Sequence, residues 1–369
     1  MDEFTLLGEK MRKKIGIITI NGNYNYGNRL QNYALEQAIY SLGYNVETII
    51  LKPKTSFLQR LKSLKTFLKN RNSDKEISFK KMIDLKSKSF DEFRENYLNN
   101  VEYDNRSELK DFDRFIVGSD QVWNPSWRLI DDQWLRFAPE EKRFSYAASM
   151  ATDNILKSNN KKLPKYLKEM NEISVRENES VDLVKKISGK EAKVVLDPTM
   201  LISKDQYLTL IKSHPKQELV IKDKYILVYS LAGLNNELND KLKLYAKEKE
   251  LKIVNIMGNY YKKNHLAVGP IDFIKLINNA DLVISDSFHC GVFSIIMETN
   301  FLLFNRIDGQ IMNDRISTLL STFDLMDRIY QGGNLNKYKT IDFSDVRKKL
   351  EIEREKSKEY LRYILGKPI

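Results

Sequence analysis

The sequence predicts an α/β chain of two units, each an open sheet of βα repeats, that meet at a shared cleft. Three observations predict it. Residues 14–51 read as strand, polar loop, helix and strand, the same alternation restarts at Tyr225, and most apolar strand-length runs end in clustered polar side chains. Ligands of open α/β sheets collect where strand ends meet helix N-termini, because free N–H groups and the positive end of the helix dipole attract anions.

In chain order, residues 14–20 (KIGIITI) read as a buried strand and 21–29 (NGNYNYGNR) as a polar loop with Gly22 and Gly27. A helix is expected from Leu30 to Leu42, with Leu35, Ala38, Ile39 and Leu42 on one side, followed by a strand from Val46 to Leu51. The loop lacks GxGxxG, so a dinucleotide fingerprint is absent. Asn25, Asn28 and Arg29 offer amide and guanidinium donors at the helix start. The segment reads equally as a ligand loop and as an ordinary Asn/Gly turn with a cap.

Residues 56–70 place Phe57, Leu58, Leu61, Leu64, Phe67 and Leu68 on one stripe, away from Arg60, Lys62, Lys65 and Lys69. A helix that lies on an anionic membrane has this pattern, and so, more commonly, does a helix packed on its own domain with its lysines in water. A charged helix from Lys81 to Tyr97 follows. Phe115–Val117 is the next strand, ending in Gly118, Ser119, Asp120 and Gln121. Trp123 and Trp127 could wall a sugar site, though core packing is the default for tryptophan. Phe144–Ala148, then Glu172–Val175 with Arg176 after it, then Val194–Leu196 with Asp197 after it, repeat the strand-then-polar arrangement.

Residues 200–224 read as a connector with a short helix. A strand at Tyr225–Ser230, a helix at 236–250, a strand at Lys252–Met257 and a helix at Ile271–Asn279 lead to the central stretch, 280–304. There Ala280–Ser285 is a strand and Asp286 to His289 a polar break that Cys290 and Gly291 continue. Val292–Glu298 is then helical and Phe301–Phe304 a strand. Residues 311–328 are helical with Arg315 on the face of Leu319, and 342–365 form a charged helix that folds back over the groove. The expected division is 1–203, with a basic helical insertion near 52–100, then 204–330, then the tail 331–369.

A hydrophobic fraction of 42% belongs to a folded globular chain, and a single cysteine excludes a disulfide framework and fits a reducing compartment. Without an apolar run of about 18 residues or a secretory leader pattern, a cytoplasmic location is expected, peripheral to the membrane if residues 56–70 touch lipid. The net charge of +11 calls for an anionic partner. A phosphorylated small molecule and an anionic lipid surface rank above nucleic acid, since RNA-binding signatures, zinc spacing and helix-turn-helix patterns are absent. No metal-ligand cluster is visible. His289 is one of three histidines, and a lone histidine at a strand end is more often a capping or packing group than a catalyst. Cys290 beside it reads as a buried bystander, because adjacent side chains usually point apart.

Taken together, NYGNRLQNYALEQAI (25–39), VGSDQVWNP (117–125), SYAASM (145–150), ISVRENES (173–180), VLDPTML (195–201) and SDSFHCGVFSIIMETNFLLF (285–304) resemble the polysaccharide pyruvyl transferase family, with NDRISTLL (313–320) a weaker match. The resemblance implies a GT-B-like fold of two Rossmann-like domains facing each other across a cleft. It also implies transfer of a pyruvyl group from phosphoenolpyruvate, as donor substrate with no cofactor, to two hydroxyls of a sugar. The acceptor would be a cell-envelope polysaccharide or its lipid-linked precursor, and the product a ketal.

By motif, His289 matches the family's histidine as general acid and Arg176 an arginine that holds the donor's carboxylate or phosphate. Asp286 or Asp120 is expected to keep the imidazole charged, and the helix beginning near Gly291 to stabilise leaving phosphate. Asn28, Arg29, Gly118, Ser119, Gln121, Asp197, Ser287 and Arg315 complete the expected binding set. One departure stands out: Ser287-Phe288-His289 occupies the place where family members often carry Arg, an apolar residue and His. Arg29 or Arg315 is expected to supply the missing cation, or the donor differs. The rival readings are a GT-B glycosyltransferase using a nucleotide sugar and a non-catalytic envelope-assembly protein.

Overall fold

A computed structural model describes residues 13–22, 25–52, 74–124, 131–150, 161–214, 219–256, 265–305 and 313–368. The basic stripe at 56–70 and Trp127 lie outside the described residues. Strands β1 (Lys14–Ile18), β2 (Asn45–Leu51), β3 (Asn100–Tyr103), β4 (Arg114–Val117) and β5 (Arg143–Ser145) form a parallel sheet ordered β3-β2-β1-β4-β5. Isolated bridges from Phe144 to Glu172 and from Ala148 to Val175 carry it on to β6 (Ser174–Val175) and β7 (Lys193–Val194). The second sheet repeats the order as β10-β9-β8-β11-β12, with β8 (Tyr225–Tyr229), β9 (Lys252–Ile256), β10 (His265–Leu266), β11 (Leu282–Ser285) and β12 (Phe301–Leu303). The central strands are buried along their length and accordingly read as continuous apolar runs such as YILVY at β8.

In each sheet the direction of winding reverses between the first strand and the fourth, β1 against β4 and β8 against β11. These switch points are where open sheets leave a crevice at their carboxyl edge. Helix α1 (Tyr26–Ser41) leaves the first, and α8 (Phe288–Met297) leaves the second. Between α1 and α8, in chain order, come α2 (Asp74–Tyr97), α3 (Leu163–Lys168), α4 (Asn178–Ser188), α5 (Lys204–Ser213), α6 (Asn236–Glu248) and α7 (Pro270–Asn278); α9 (Asn313–Thr322) and α10 (Phe343–Gly366) follow.

The seam between the units is filled. Tyr26 of α1 stacks on Phe273 of α7 at 4.4 Å with the rings 4° from parallel, and its hydroxyl donates to Val268 O at 3.2 Å. Leu30, Ala34, Phe90 and Phe93 from the first unit share one apolar cluster with Tyr229, Ile274 and Phe293 from the second. Helix α10 ties both together. Its first half packs Phe343, Val346 and Leu350 into that cluster, while Tyr360, Leu361, Ile364 and Leu365 lie among the core side chains of the first sheet. Arg354 Nε donates to Met200 O at 2.6 Å, and Ser357 Oγ accepts from Leu196 N at 3.0 Å.

Both helices that start at a switch point begin four residues earlier than hydrophobic periodicity predicts: α1 at Tyr26 instead of Leu30, α8 at Phe288 instead of Val292. Asn28, Arg29, His289, Cys290 and Gly291 therefore lie in first turns and not in loops. Trp123 is core, stacked on Trp134 at 4.6 Å.

One buried carboxyl of α1 gives the fold a pH signature. Glu36 is 3% exposed; burial pushes its carboxyl up to about 7 against the lowering effect of Thr48 and the Asn99 amide. The Thr48 hydroxyl faces both Asn32 Oδ1 and Glu36 Oε1 with one hydrogen, a conflict that a protonated Glu36 removes by donating to Thr48. Between its ordinary value and about 7 the folded chain holds a proton that the unfolded chain has lost. Stability is therefore expected to fall as pH rises through this window, by up to roughly 3 kcal/mol. Urea midpoints at pH 5 and pH 8 should show this fall, and Glu36→Gln should flatten it; an unchanged slope in the variant would assign the effect elsewhere.

Candidate active site

The two switch points face each other, and His289 of α8 sits where they meet. Gly27, in the first turn of α1, lies against its imidazole so closely that a Cβ at position 27 would fall 2.0 Å from Nδ1 and 2.4 Å from Cγ and Cε1. Glycine is required here by close approach, since the helical backbone would otherwise suit alanine. Neither α1 nor α8 has a side-chain cap at its N-terminus. On the opposite side of the ring, His289 Nε2 stands 3.4 Å from Asp197 Oδ2, an ion-pair distance at which no aligned hydrogen bond forms.

Asp197 is fully enclosed and is the hub of the site. Its Oδ1 accepts from Thr199 N at 3.1 Å and from Thr199 Oγ1 at 2.7 Å. Its Oδ2 accepts from Arg176 Nη1 at 2.8 Å, and the Ser119 hydroxyl lies 3.2 Å away. Burial alone would raise the carboxyl, but the His289 imidazole, the Arg176 guanidinium and Thr199 together hold it well below the usual carboxylate range.

Arg176, at the end of β6, is 3% exposed. Besides Asp197 it reaches Asp120 Oδ1 at 3.3 Å and Glu177 Oε1 at 4.0 Å, and its guanidinium carbon lies 4.3 Å from the centre of the Phe288 ring. Burial lowers its affinity for the proton, but the three carboxylates more than restore it. Asp120 holds φ +65 in the turn after β4, and Gly118 before it holds φ +130, with the place of a Cβ taken by Tyr146 O at 2.1 Å. That backbone aims Asp120 at Arg176.

The carboxylate beside the imidazole is thus Asp197. Asp286 and Asp120, the expected partners, are engaged elsewhere: Asp286 accepts from Ser230 Oγ, Leu231 N and Ala232 N at 2.9, 2.7 and 3.0 Å, which fixes the turn after β8. Ser287 precedes α8, with its N–H on Ser285 Oγ, and Gly291 makes room for Leu303, so α8 does not start at Gly291. Arg29 is buried and turned back onto Asn21, with Nη2 3.2 Å from Asn21 O and Nη1 3.4 Å from Oδ1. Asn28 is buried too, its backbone carbonyl accepting from Gln31 Nε2 at 3.0 Å. Cys290 is fully buried, which pushes its thiol up to about 12 and removes it as a nucleophile.

Arg315 of α9 is the cation at the open side of the cluster. Its Nε lies 4.0 Å from Glu177 Oε1, and with its amide oxygen turned toward it Gln121 accepts from both Nη atoms, at 2.7 and 2.5 Å. Arg176, Asp197, Phe288, Arg315, Thr318 and Glu353 are among the residues lining a cavity between the two units and α10. Sequence reasoning placed Asp197 among substrate ligands and overlooked Glu177 and Thr199. The run DPT, an aspartate capping its own turn, was the available signal. Among the described residues, no three His, Cys, Asp or Glu side chains gather as a metal site.

Two parallel sheets with facing switch points and a C-terminal helix across both define a GT-B-like protein. Solved structures agree: over 96% of this chain and 100% of theirs, it matches UDP-GlcNAc 2-epimerases from Neisseria meningitidis bound to UDP-GlcNAc (10% identity, TM-score 0.53) and from Methanocaldococcus jannaschii (13%, 0.53), likenesses that bear on fold alone. No curated protein sequence matches it. The chain belongs to the polysaccharide pyruvyl transferase family, whose sequence pattern matches residues 25–308. No helix among the described residues is long and apolar enough to cross a membrane.

Proposed function

We propose that the chain moves a pyruvyl group from phosphoenolpyruvate onto a sugar of a cell-surface polysaccharide, or its lipid-linked precursor, and leaves it as a cyclic ketal. The observation that carries this reading is an imidazole held against the buried Asp197 at the junction of the two units, with the Arg315 guanidinium lining the same cavity as that carboxylate. A sugar hydroxyl adds to C2 of the enol phosphate while His289 delivers a proton to C3, the hydroxyl's own proton passing to the donor's phosphate. A second hydroxyl then displaces that hydrogen phosphate at C2 and closes the ketal, its proton returning the imidazole to the charged form. An imidazole suits the first step because a positioned side chain can deliver a proton to the reacting carbon in the transition state.

Arg315 suits the phosphate or carboxylate of the donor. Arg176 is already committed to three carboxylates, and Ser287 leaves position 287 without a guanidinium. Binding to the native state raises stability, by about 2.7 kcal/mol at a hundredfold excess over Kd. Thermal melts with phosphoenolpyruvate, a UDP-sugar or inorganic phosphate as separate ligands test the reading. Phosphoenolpyruvate is expected to raise Tm, and Arg315→Ala to abolish most of that rise without changing the unliganded Tm by more than a few degrees. A rise with the UDP-sugar alone would move the chain to nucleotide-sugar chemistry.

A further inference from the structure

We infer that Asp197 is the positioning residue that fixes the ring orientation and proton placement of His289, and that Arg176 serves as its buried counter-ion and does not hold the donor. The step it serves rests on the pyruvyl-transfer reading, but the contact does not. Asp197 comes from the first unit and His289 from the second, so the pair forms only when the units are closed on one another.

Both oxygens of this carboxylate are anchored. Thr199 donates twice to Oδ1 and Arg176 once to Oδ2, the Ser119 hydroxyl has its one hydrogen between Oδ2 and the nearer Ala147 O, and Oδ2 also faces Nε2 of the imidazole. Such a carboxylate cannot swing toward a substrate, and with Arg176 2.8 Å away it remains an anion. An anion facing Nε2 favours the tautomer that keeps its hydrogen there. The proton to be transferred is then the one on Nδ1, the nitrogen lying against Gly27. During transfer the Nδ1–H bond breaks as the C3–H bond forms, its electron pair staying on the ring, and the neutral imidazole remains with Nε2–H toward Asp197.

Arg176 is too deeply enclosed to grip a ligand bidentately without leaving Asp120, Asp197 and Glu177 uncompensated. Its place is structural support for the pair. Arg315 differs in that its side chain is more exposed than that of Arg176, 11% against 2%, and its Nε stands 4.0 Å from Glu177 Oε1.

The test is nitrogen NMR of histidine-labelled protein, tractable because the chain has three histidines. In the parent, the neutral form of His289 is expected to be at least about ninety per cent Nε2-protonated. Asp197→Asn should reduce that preference several-fold while leaving the signals of His214 and His265 in place, and should lower kcat at least 100-fold with KM for phosphoenolpyruvate within about threefold. Should Asp197→Asn not fold, Thr199→Val retains the carboxylate and the backbone bond to Oδ1, removes the hydroxyl bond, and is expected to weaken the preference to a lesser degree. An unchanged tautomer balance in a folded variant overturns the inference. Absence of pyruvyl transfer by the parent would instead overturn the functional reading, since the NMR arm needs no substrate.

Discussion

Replacing His289 by alanine is expected to lower turnover of phosphoenolpyruvate by about 10²–10⁴-fold, the usual contribution of a positioned general acid. The fold should survive. The substitution removes a ring that is 6% exposed, but it strands no charge, because Asp197 keeps Arg176, Thr199 and Ser119. The change should appear in kcat with little effect on KM, the pattern of an interaction made only in the transition state. Circular dichroism and Tm close to the parent, with the rate lost, would complete the result. Activity within about tenfold of the parent would remove His289 from proton transfer. Arg176→Ala is a poor substitute for this test: it leaves Asp120, Asp197 and Glu177 with an uncompensated buried charge, and breaking one side of such a network typically costs about 3–5 kcal/mol. Lost activity in that variant would therefore report unfolding as readily as chemistry.

What the sequence could show followed from periodicity. Strands β1, β4, β8 and β11 are continuous apolar runs because both of their faces are covered, and each is recognisable without its neighbours. Restarting the βα alternation at Tyr225 therefore disclosed a second sheet, and the polar residues after each strand disclosed the edge that carries the site.

Periodicity failed where the two units touch. Every residue of α8 from Phe288 to Met297 is buried, so the helix has no solvent face to set its phase, and its first turn, FHCG, looks like a loop. The first turn of α1, YGNR, is buried against α8 and the core for the same reason. Neither helix carries the side-chain cap that would have marked its start. The partner of His289 was equally hidden. Asp286 is three residues away in sequence and its oxygens serve the 230–232 turn, whereas Asp197, 92 residues away, meets the ring only through the closure of one unit on the other. Long-range placement of that kind has no local signature, and a buried ion pair least of all, because carboxylates and arginines are ordinarily read as surface residues.

Gly27→Ala is expected to act in opposite directions depending on what stands at position 289. In the parent a Cβ would lie 2.0 Å from His289 Nδ1, and neither partner can yield cheaply. Helix α1 is pinned by the stacking of Tyr26 on Phe273 and by Leu30 in the core, and the imidazole is backed by Asp197. Overpacking of this sort costs about 1–3 kcal/mol, and relief by tilting the ring would pull Nε2 out of register with Asp197 and lower turnover.

Once His289 is alanine the obstacle is gone, and the same substitution exchanges a glycine for the best helix former at an allowed backbone conformation. That exchange is worth up to about 1 kcal/mol of stabilisation. A double-mutant cycle followed by urea unfolding should therefore return a coupling of about 1–3 kcal/mol, with Gly27→Ala destabilising in the parent and neutral or stabilising beside Ala at 289. Equal destabilisation in both backgrounds would mean that Gly27 is needed for something other than seating the imidazole, and that the first turn of α1 does not set where the ring lies.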